Sequence, residues 1–235
     1  MKRFWDRAEA VPADTGYGIA LDDRPLRLPG GARLTVPGRC LAEALAMEWQ
    51  SVATTPGAEF TWDSLPLTRL VGTAQDRIAP DPVPTIEALA AYGETDLLCY
   101  RAEEPRLQTR QAAAWDPLLD WAGAALAAPL AVTAGVMPVA QPKASLAALR
   151  AAVAAEDFWG LAALGILVPA LGSLVLALAV LHGRLTPAEA VAAALMDETY
   201  QQEFWGLDAE AEQRAEALAG DAALAAELLA LVRAG

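Results

Sequence analysis

A catalyst needs reactive side chains that converge, and this sequence offers few. The single histidine, His182, closes an apolar run just before Gly183, with no His-Glu-x-x-His, Ser-x-x-Lys or Gly-x-Ser-x-Gly companion. It reads as a helix-terminal imidazole set against the helix dipole. No Gly-rich loop ending in Lys-Ser or Lys-Thr is present to cradle phosphate. The Gly16-Tyr17-Gly18 stretch lacks the third glycine of a dinucleotide fingerprint. Cys40 and Cys99 are the only cysteines, far apart and without a CxxC, which points to reduced thiols in a cytosolic type of compartment. No metal set or cofactor motif emerges. Carboxylates do crowd one region: Asp197, Glu198, Glu203, Asp208, Glu210, Glu212 and Glu216. Two of them facing a cleft could work as acid and base, which is the hydrolase reading. The same run also reads as a solvated helix face, or as a surface for a partner.

The elements that must position these groups follow from local pattern. Gly16–Leu21 alternates and ends at the Asp22-Asp23 turn pair. Arg24–Leu28, the Pro29-Gly30-Gly31 turn and Ala32–Pro37 follow, which predicts two or three short antiparallel strands. Leu41, Leu45 and Trp49 share one face of a helix over 39–50, and Leu67, Leu70, Val71, Ala74 and Ile78 predict another over 66–78. Three prolines in residues 79–84 mark a boundary between a small α+β domain, 1–84, and a mostly α-helical domain, 85–235. In the second domain Thr85 is expected to cap a helix to Tyr92, and Leu97–Arg101 and Leu130–Gly135 to be extended. Asp116-Pro117 should start a helix reaching Leu126. From Ser145 the chain reads as helix. Thr186 to Glu189 forms a capping box, Gly206 stops that helix, and Asp208 caps the last one.

Composition narrows the function classes. The 235 residues carry a net charge of −13 and are 55% hydrophobic, enough for a sizeable core. So acidic a chain lacks the positive footprint that nucleic acid or an anionic membrane surface requires. The acidity is concentrated late. Residues 151–235 hold 3 bases and 12 acids, against 14 and 18 in residues 1–150. The uncharged run 160–181 has the length of a membrane span. Gly165, Pro169, Gly172 and Ser173 interrupt it, and its flanks show no Lys/Arg asymmetry. It reads as a buried helix kinked near Pro169 and Gly172, or as two helices, with a membrane-embedded protein as the competing view. The N-terminal MKRFWDRAEA has no apolar stretch of signal-peptide length. A bacterial cytoplasmic protein is expected, or a processed form from the mitochondrial matrix.

One segment is more specific than any of these patterns. Residues 95–121, TDLLCYRAEEPRLQTRQAAAWDPLLDW, set a Cys, a Tyr, two Trp and an Arg-Gln pair close together without catalytic spacing. With KRFW (2–5), GYGIALDDRPLRLPGG, LAEALAMEW, PLTRLVGTAQDR, LGSLVLALAV and DETYQQEFWGLDAEA, in that order, the chain resembles the assembly chaperones that hold the α subunit of the F-type ATP synthase catalytic head. Residues 51–64 and 80–84 match less well. The resemblance implies a small α+β domain followed by a helical one. It also implies a monomeric, non-enzymatic holder that shields the α subunit's β-facing surface without cofactor or metal. On this reading Glu198, Glu210, Asp197, Glu203 and Trp205 form the partner surface, and Trp49 locks its helix onto the sheet. Trp62, in a loop, is expected to be open to solvent.

Overall fold

The structure is a computed structural model describing residues 1–53, 55–135, 137–206 and 208–235. Contacts divide it into one unit of Met1–Pro82 with Glu227–Gly235, and a second of Val83–Ala226. The sequence expectation kept the last nine residues with the helical domain. They group instead with the first unit, where Gly38 and Gly235 approach so closely that a Cβ on Gly38 would lie 2.7 Å from the Gly235 Cα.

The first unit is built on an antiparallel sheet of β1 (Ala8–Pro12), β2 (Tyr17–Leu21), β3 (Arg24–Pro25) and β4 (Thr35–Val36), ordered β1-β2-β3 with β4 also on β2. β1 was not anticipated, because its half-buried AEAVP lacks a clean alternation. The β2–β3 turn is tight. Asp22 adopts φ 52°, and its carboxylate accepts the Asp6 and Arg7 amides at 3.1 and 2.9 Å. Helix α1 (Arg39–Ser51) lays Leu41, Leu45 and Trp49 into the core. Trp49 packs against Trp5 and Phe60. Arg3, buried to 5% exposure, donates to the carbonyls of Trp5, Asp6, Gln50, Val52 and Ala53, closing the end of α1. Helix α2 (Pro66–Thr73) continues into a π-helical turn at Ala74–Ile78. Its first turn is capped from another helix. Glu48 accepts the Leu67 and Thr68 amides at 2.7 and 2.9 Å and the Thr68 hydroxyl at 2.6 Å, while the Trp49 indole donates to that hydroxyl at 2.9 Å. The Glu-Trp pair therefore locks α1 to α2 rather than to the sheet alone.

The second unit is helical. It comprises α3 (Val83–Ala90), β5 (Tyr100–Arg101), α4 (Pro105–Ala125), β6 (Thr133–Ala134), α5 (Lys143–Ala154), α6 (Phe158–Leu171), α7 (Leu174–Leu181), α8 (Pro187–Ala194), α9 (Met196–Trp205) and α10 (Ala209–Arg233), whose last residues belong to the first unit. β5 and β6 pair in parallel, and residues 97–99 are a helical turn rather than strand. Two expected starts fall elsewhere. α3 opens at Val83, two residues before Thr85. α4 opens at Pro105, where the Glu104 carboxylate accepts the Leu107 amide at 2.6 Å. Asp116-Pro117 repeats that cap-then-proline signal inside the helix. Buried Trp115, Leu118 and Leu119 hold the helix together across the donor that Pro117 lacks. The run 160–181 is two helices parted at Gly172 (φ 64°) and Ser173. Every residue of α7 is buried. Among the described residues no helix is long and apolar enough to cross a membrane. The start of α7 rests on Asp96, which is fully buried. Its carboxylate accepts the Ser173 hydroxyl at 2.7 Å and the Val175 and Leu98 amides at 3.0 and 3.1 Å. Burial pushes this carboxyl above its usual range, against the pull of those donors.

Candidate partner-binding surface

The acidic residues singled out from sequence lie on α9 and the start of α10, and the structure sorts them into two groups. Thr186 caps α8 through a full box with Glu189. The helix then breaks at Leu195 instead of running to Gly206, and α9 starts afresh. One face of α9 is fastened to α4. The Gln111 amide donates to Asp197 at 2.7 Å, while its oxygen accepts the Ala102 amide at 2.8 Å. The Arg110 guanidinium grips both oxygens of Glu203, one of them at 3.0 Å, and lies 5.0 Å over the Tyr200 ring. The Tyr200 hydroxyl in turn donates to Glu104 at 2.8 Å. The hydrogen bond from Arg110 holds Glu203 below the ordinary carboxylate range. A general acid would need the opposite shift.

The other face is open. Glu198 is exposed, and Glu210 pairs with Arg214 one turn on, at 3.1 Å with both side chains largely in water. At the end of α9 stand Phe204, 58% exposed, and Trp205, 81% exposed, before Gly206 (φ 84°) turns the chain. The Tyr200 and Phe204 rings pack at a tilt of 59° with centroids 5.1 Å apart. Asp208 accepts the Glu210 amide at 3.2 Å and so starts α10. A crevice of about 210 Å³ between the two helices is lined by Leu195, Glu198, Gln202, Ala211, Arg214 and Leu218 among others. Of the five residues named from sequence, Glu198, Glu210 and Trp205 therefore face solvent, while Asp197 and Glu203 tie α9 down. Sequence reasoning missed Phe204, although Glu203-Phe204-Trp205 abut. It also missed Tyr200 and Arg110 as the clamp; the Arg-Gln pair at 110–111 was the visible signal.

The remaining reactive side chains do not converge. His182 sits at the C-terminal end of α7, its Nε2 3.7 Å from a Glu156 oxygen. Among the described residues no group of three or more His, Cys, Asp or Glu is placed to hold a metal. Both cysteines are free. Cys40 is exposed, and burial pushes the Cys99 thiol up to about 12.

A small α+β unit is thus followed by helices, one of them fastened by polar clamps and showing aromatics among carboxylates. Residues 2–123 match the family model of the ATP12 chaperone protein. The chain is 42% identical to Atp12 from Paracoccus denitrificans, whose crystal structure superposes with a TM-score of 0.90 over 99% of this chain and 98% of that one. An aspartate-to-lysine mutant of P. denitrificans Atp12p gives 41% identity and the same TM-score and coverage. Protein atp12, mitochondrial, of Schizosaccharomyces pombe is 28% identical over 218 residues, 87% of this chain and 74% of that protein. The chain belongs to the ATP12 chaperone family, whose work is assembly of the F-type ATPase catalytic head.

Proposed function

We propose that this chain captures the unassembled α subunit of the F-type ATP synthase and covers its β-facing surface until the β subunit takes its place. It acts as a monomeric holder, without catalysis or cofactor, in the bacterial cytoplasm or the mitochondrial matrix. The observation that carries the reading is Trp205 and Phe204, exposed by 81% and 58% beside Glu198 and Glu210. Large aromatics held in water by a fastened helix are unusual on a monomer and are the side chains that dominate protein interfaces. An orphan subunit offers a complementary apolar patch that otherwise aggregates. Carboxylates around the aromatics raise the encounter rate and orient the partner, while the small apolar area keeps the complex exchangeable.

Co-expression tests this. The α subunit should stay soluble and co-purify with the chain. Glu198→Lys with Glu210→Lys, and separately Trp205→Ala, should weaken capture while leaving the helical circular dichroism unchanged. Capture unaltered by both variants would remove this surface from the mechanism. A chain that ignores the α subunit altogether would remove the function.

A further inference from the structure

The first unit carries a feature that the acidic surface does not use. Residues 24–42 contain Arg24, Arg27, Arg33 and Arg39 and no carboxylate, in a chain with 30 acids and 17 bases. The strand pattern turns Leu26, Leu28, Leu34 and Val36 inward and leaves Arg24, Arg27 and Arg33 exposed. Two clefts open along this hairpin, of about 340 and 530 Å³. They share Leu26, Arg27 and Trp49 and so form one continuous depression. Its lining includes Arg24, Arg27 and Arg77, together with Lys2 and Arg69, which pair with Glu59 and Asp63, against the single carboxylate of Asp76. That carboxylate is already engaged, accepting the Gly30 amide at 3.1 Å. Among the described residues no carboxylate lies within ion-pair distance of Arg24, Arg27 or Arg77. Apolar surface is open beside the charges, with Phe4 59% and Trp62 42% exposed.

We propose that this depression binds an acidic, apolar-studded peptide segment of the client subunit, making a second contact of opposite charge to the α9–α10 surface. The identity of the client rests on the function proposed above; the chemistry of the groove does not. Length favours a peptide over a small anion, because the three guanidiniums without a carboxylate partner among the described residues, Arg24 over the Phe4 ring, Arg27 donating to the Gly31 carbonyl, and Arg77, are spread along two joined clefts rather than gathered around one point. The apolar floor supplies affinity for every other side chain of an extended segment, and the arginines select those between. Two contacts of modest strength on one client give a tighter hold than either alone while each can be released separately.

The test uses the full chain and a labelled synthetic peptide of alternating Glu and Leu residues, set against its Lys-for-Glu counterpart. Fluorescence anisotropy should report binding of the acidic peptide, weakened by rising salt, and none of the basic one. Arg27→Glu with Arg77→Glu should lower that affinity about tenfold per reversed charge, whereas Glu198→Lys with Glu210→Lys should leave it unchanged. A photo-cross-linking phenylalanine analogue in place of Trp62 should couple to the peptide, and the same analogue in place of exposed Arg77 guards against loss of folding. Equal binding of both peptides, indifference to the arginine reversals, or preference for tRNA or anionic lipid vesicles over the peptide overturns the proposal. Capture of the α subunit is scored in parallel. Capture without peptide binding sinks the groove and spares the function, and peptide binding without capture does the reverse.

Discussion

Glu48 in the first unit and Asp96 in the second perform the same task. Each is a carboxylate drawn out of water to receive the bare amides at the start of a helix distant in sequence, α2 in one case and α7 in the other. Around these matching locks the units diverge. The first holds 10 bases and 12 acids, seals Trp5, Trp49 and Phe60, and leaves Phe4 and Trp62 open beside its arginines. The second holds 7 bases and 18 acids, a net of −11, and leaves Phe204 and Trp205 in water. Interiors built by one rule thus support surfaces of different character. The difference shows where the charge lies: as a few helix-capping carboxylates inside, and on open helix and strand faces outside.

Removing the locks should produce the largest effects. Asp96 has no exposure, so Asp96→Ala leaves the Ser173 hydroxyl and two amides unsatisfied with no water to replace the carboxylate. At about 1–3 kcal/mol for each stranded donor, a loss of about 3 kcal/mol or more is expected in urea unfolding. Asp96→Asn keeps one acceptor and should cost less. The pH dependence has a definite sign. The folded carboxyl titrates above its unfolded value, so the stability linked to its protonation is fully present below the unfolded value and fades as pH rises through the folded one. Wild type should therefore gain on Asp96→Asn as the solution is acidified. Glu48 is less enclosed, and Glu48→Ala should cost about 2 kcal/mol. If the two alanine variants cost the same, the depth of burial is not what separates the units.

The surface contrast breaks differently. Glu198→Lys with Glu210→Lys should reduce capture of the α subunit about tenfold or more with no shift in the urea midpoint, because both side chains stand in solvent. Trp205→Ala should lower capture by a comparable factor through residence time rather than encounter rate. Stopped-flow association and dissociation separate the two. A charge reversal that changed only dissociation would mean that the carboxylates touch the partner instead of steering it.

How far these features could be read from sequence depends on the range of the interaction. The Asp22-Asp23 turn, the Leu41-Leu45-Trp49 stripe, the Thr186 box and the Asp208 cap are local, and their patterns are visible in the sequence. The acidic run and Trp205 on α9 and α10 are a compositional signal too, whereas Phe204 beside them was not read. Asp96 was invisible, because Thr95-Asp96 looks like any turn and its acceptors are filled from 77 and 79 residues away. Arg3 was invisible for the same reason: a basic N-terminal segment reads as exposed, yet its side chain closes a helix end some 50 residues on. Asp116-Pro117 misled because a cap followed by proline has the same local signature inside a helix as at its start. Only Trp115, Leu118 and Leu119, packed below, decide between them.

The smallest effect tests how α9 is fastened. No residue of this helix is fully buried, so its attachment leans on polar clamps, chiefly Arg110 with Glu203 and Tyr200. Both ends of that pair are exposed, which limits its contribution and makes it sensitive to salt. Glu203→Gln should leave the global urea midpoint in place and raise amide exchange across residues 199–205. The guanidinium holds the Glu203 carboxyl below its ordinary value, so the clamp is at full strength above the unfolded value of about 4.3 and is lost as pH falls through the lower folded one. Once corrected for intrinsic rates, wild-type protection should converge on that of Glu203→Gln as the solution is taken from neutral to acid. Capture should weaken in step, because Phe204 and Trp205 present their rings from the last turn of this same helix. If exchange across α9 were the same in both proteins at neutral pH, the aromatic pair would owe its position to something other than Arg110, and the contrast between a sealed and a presented aromatic cluster would lose its mechanical basis.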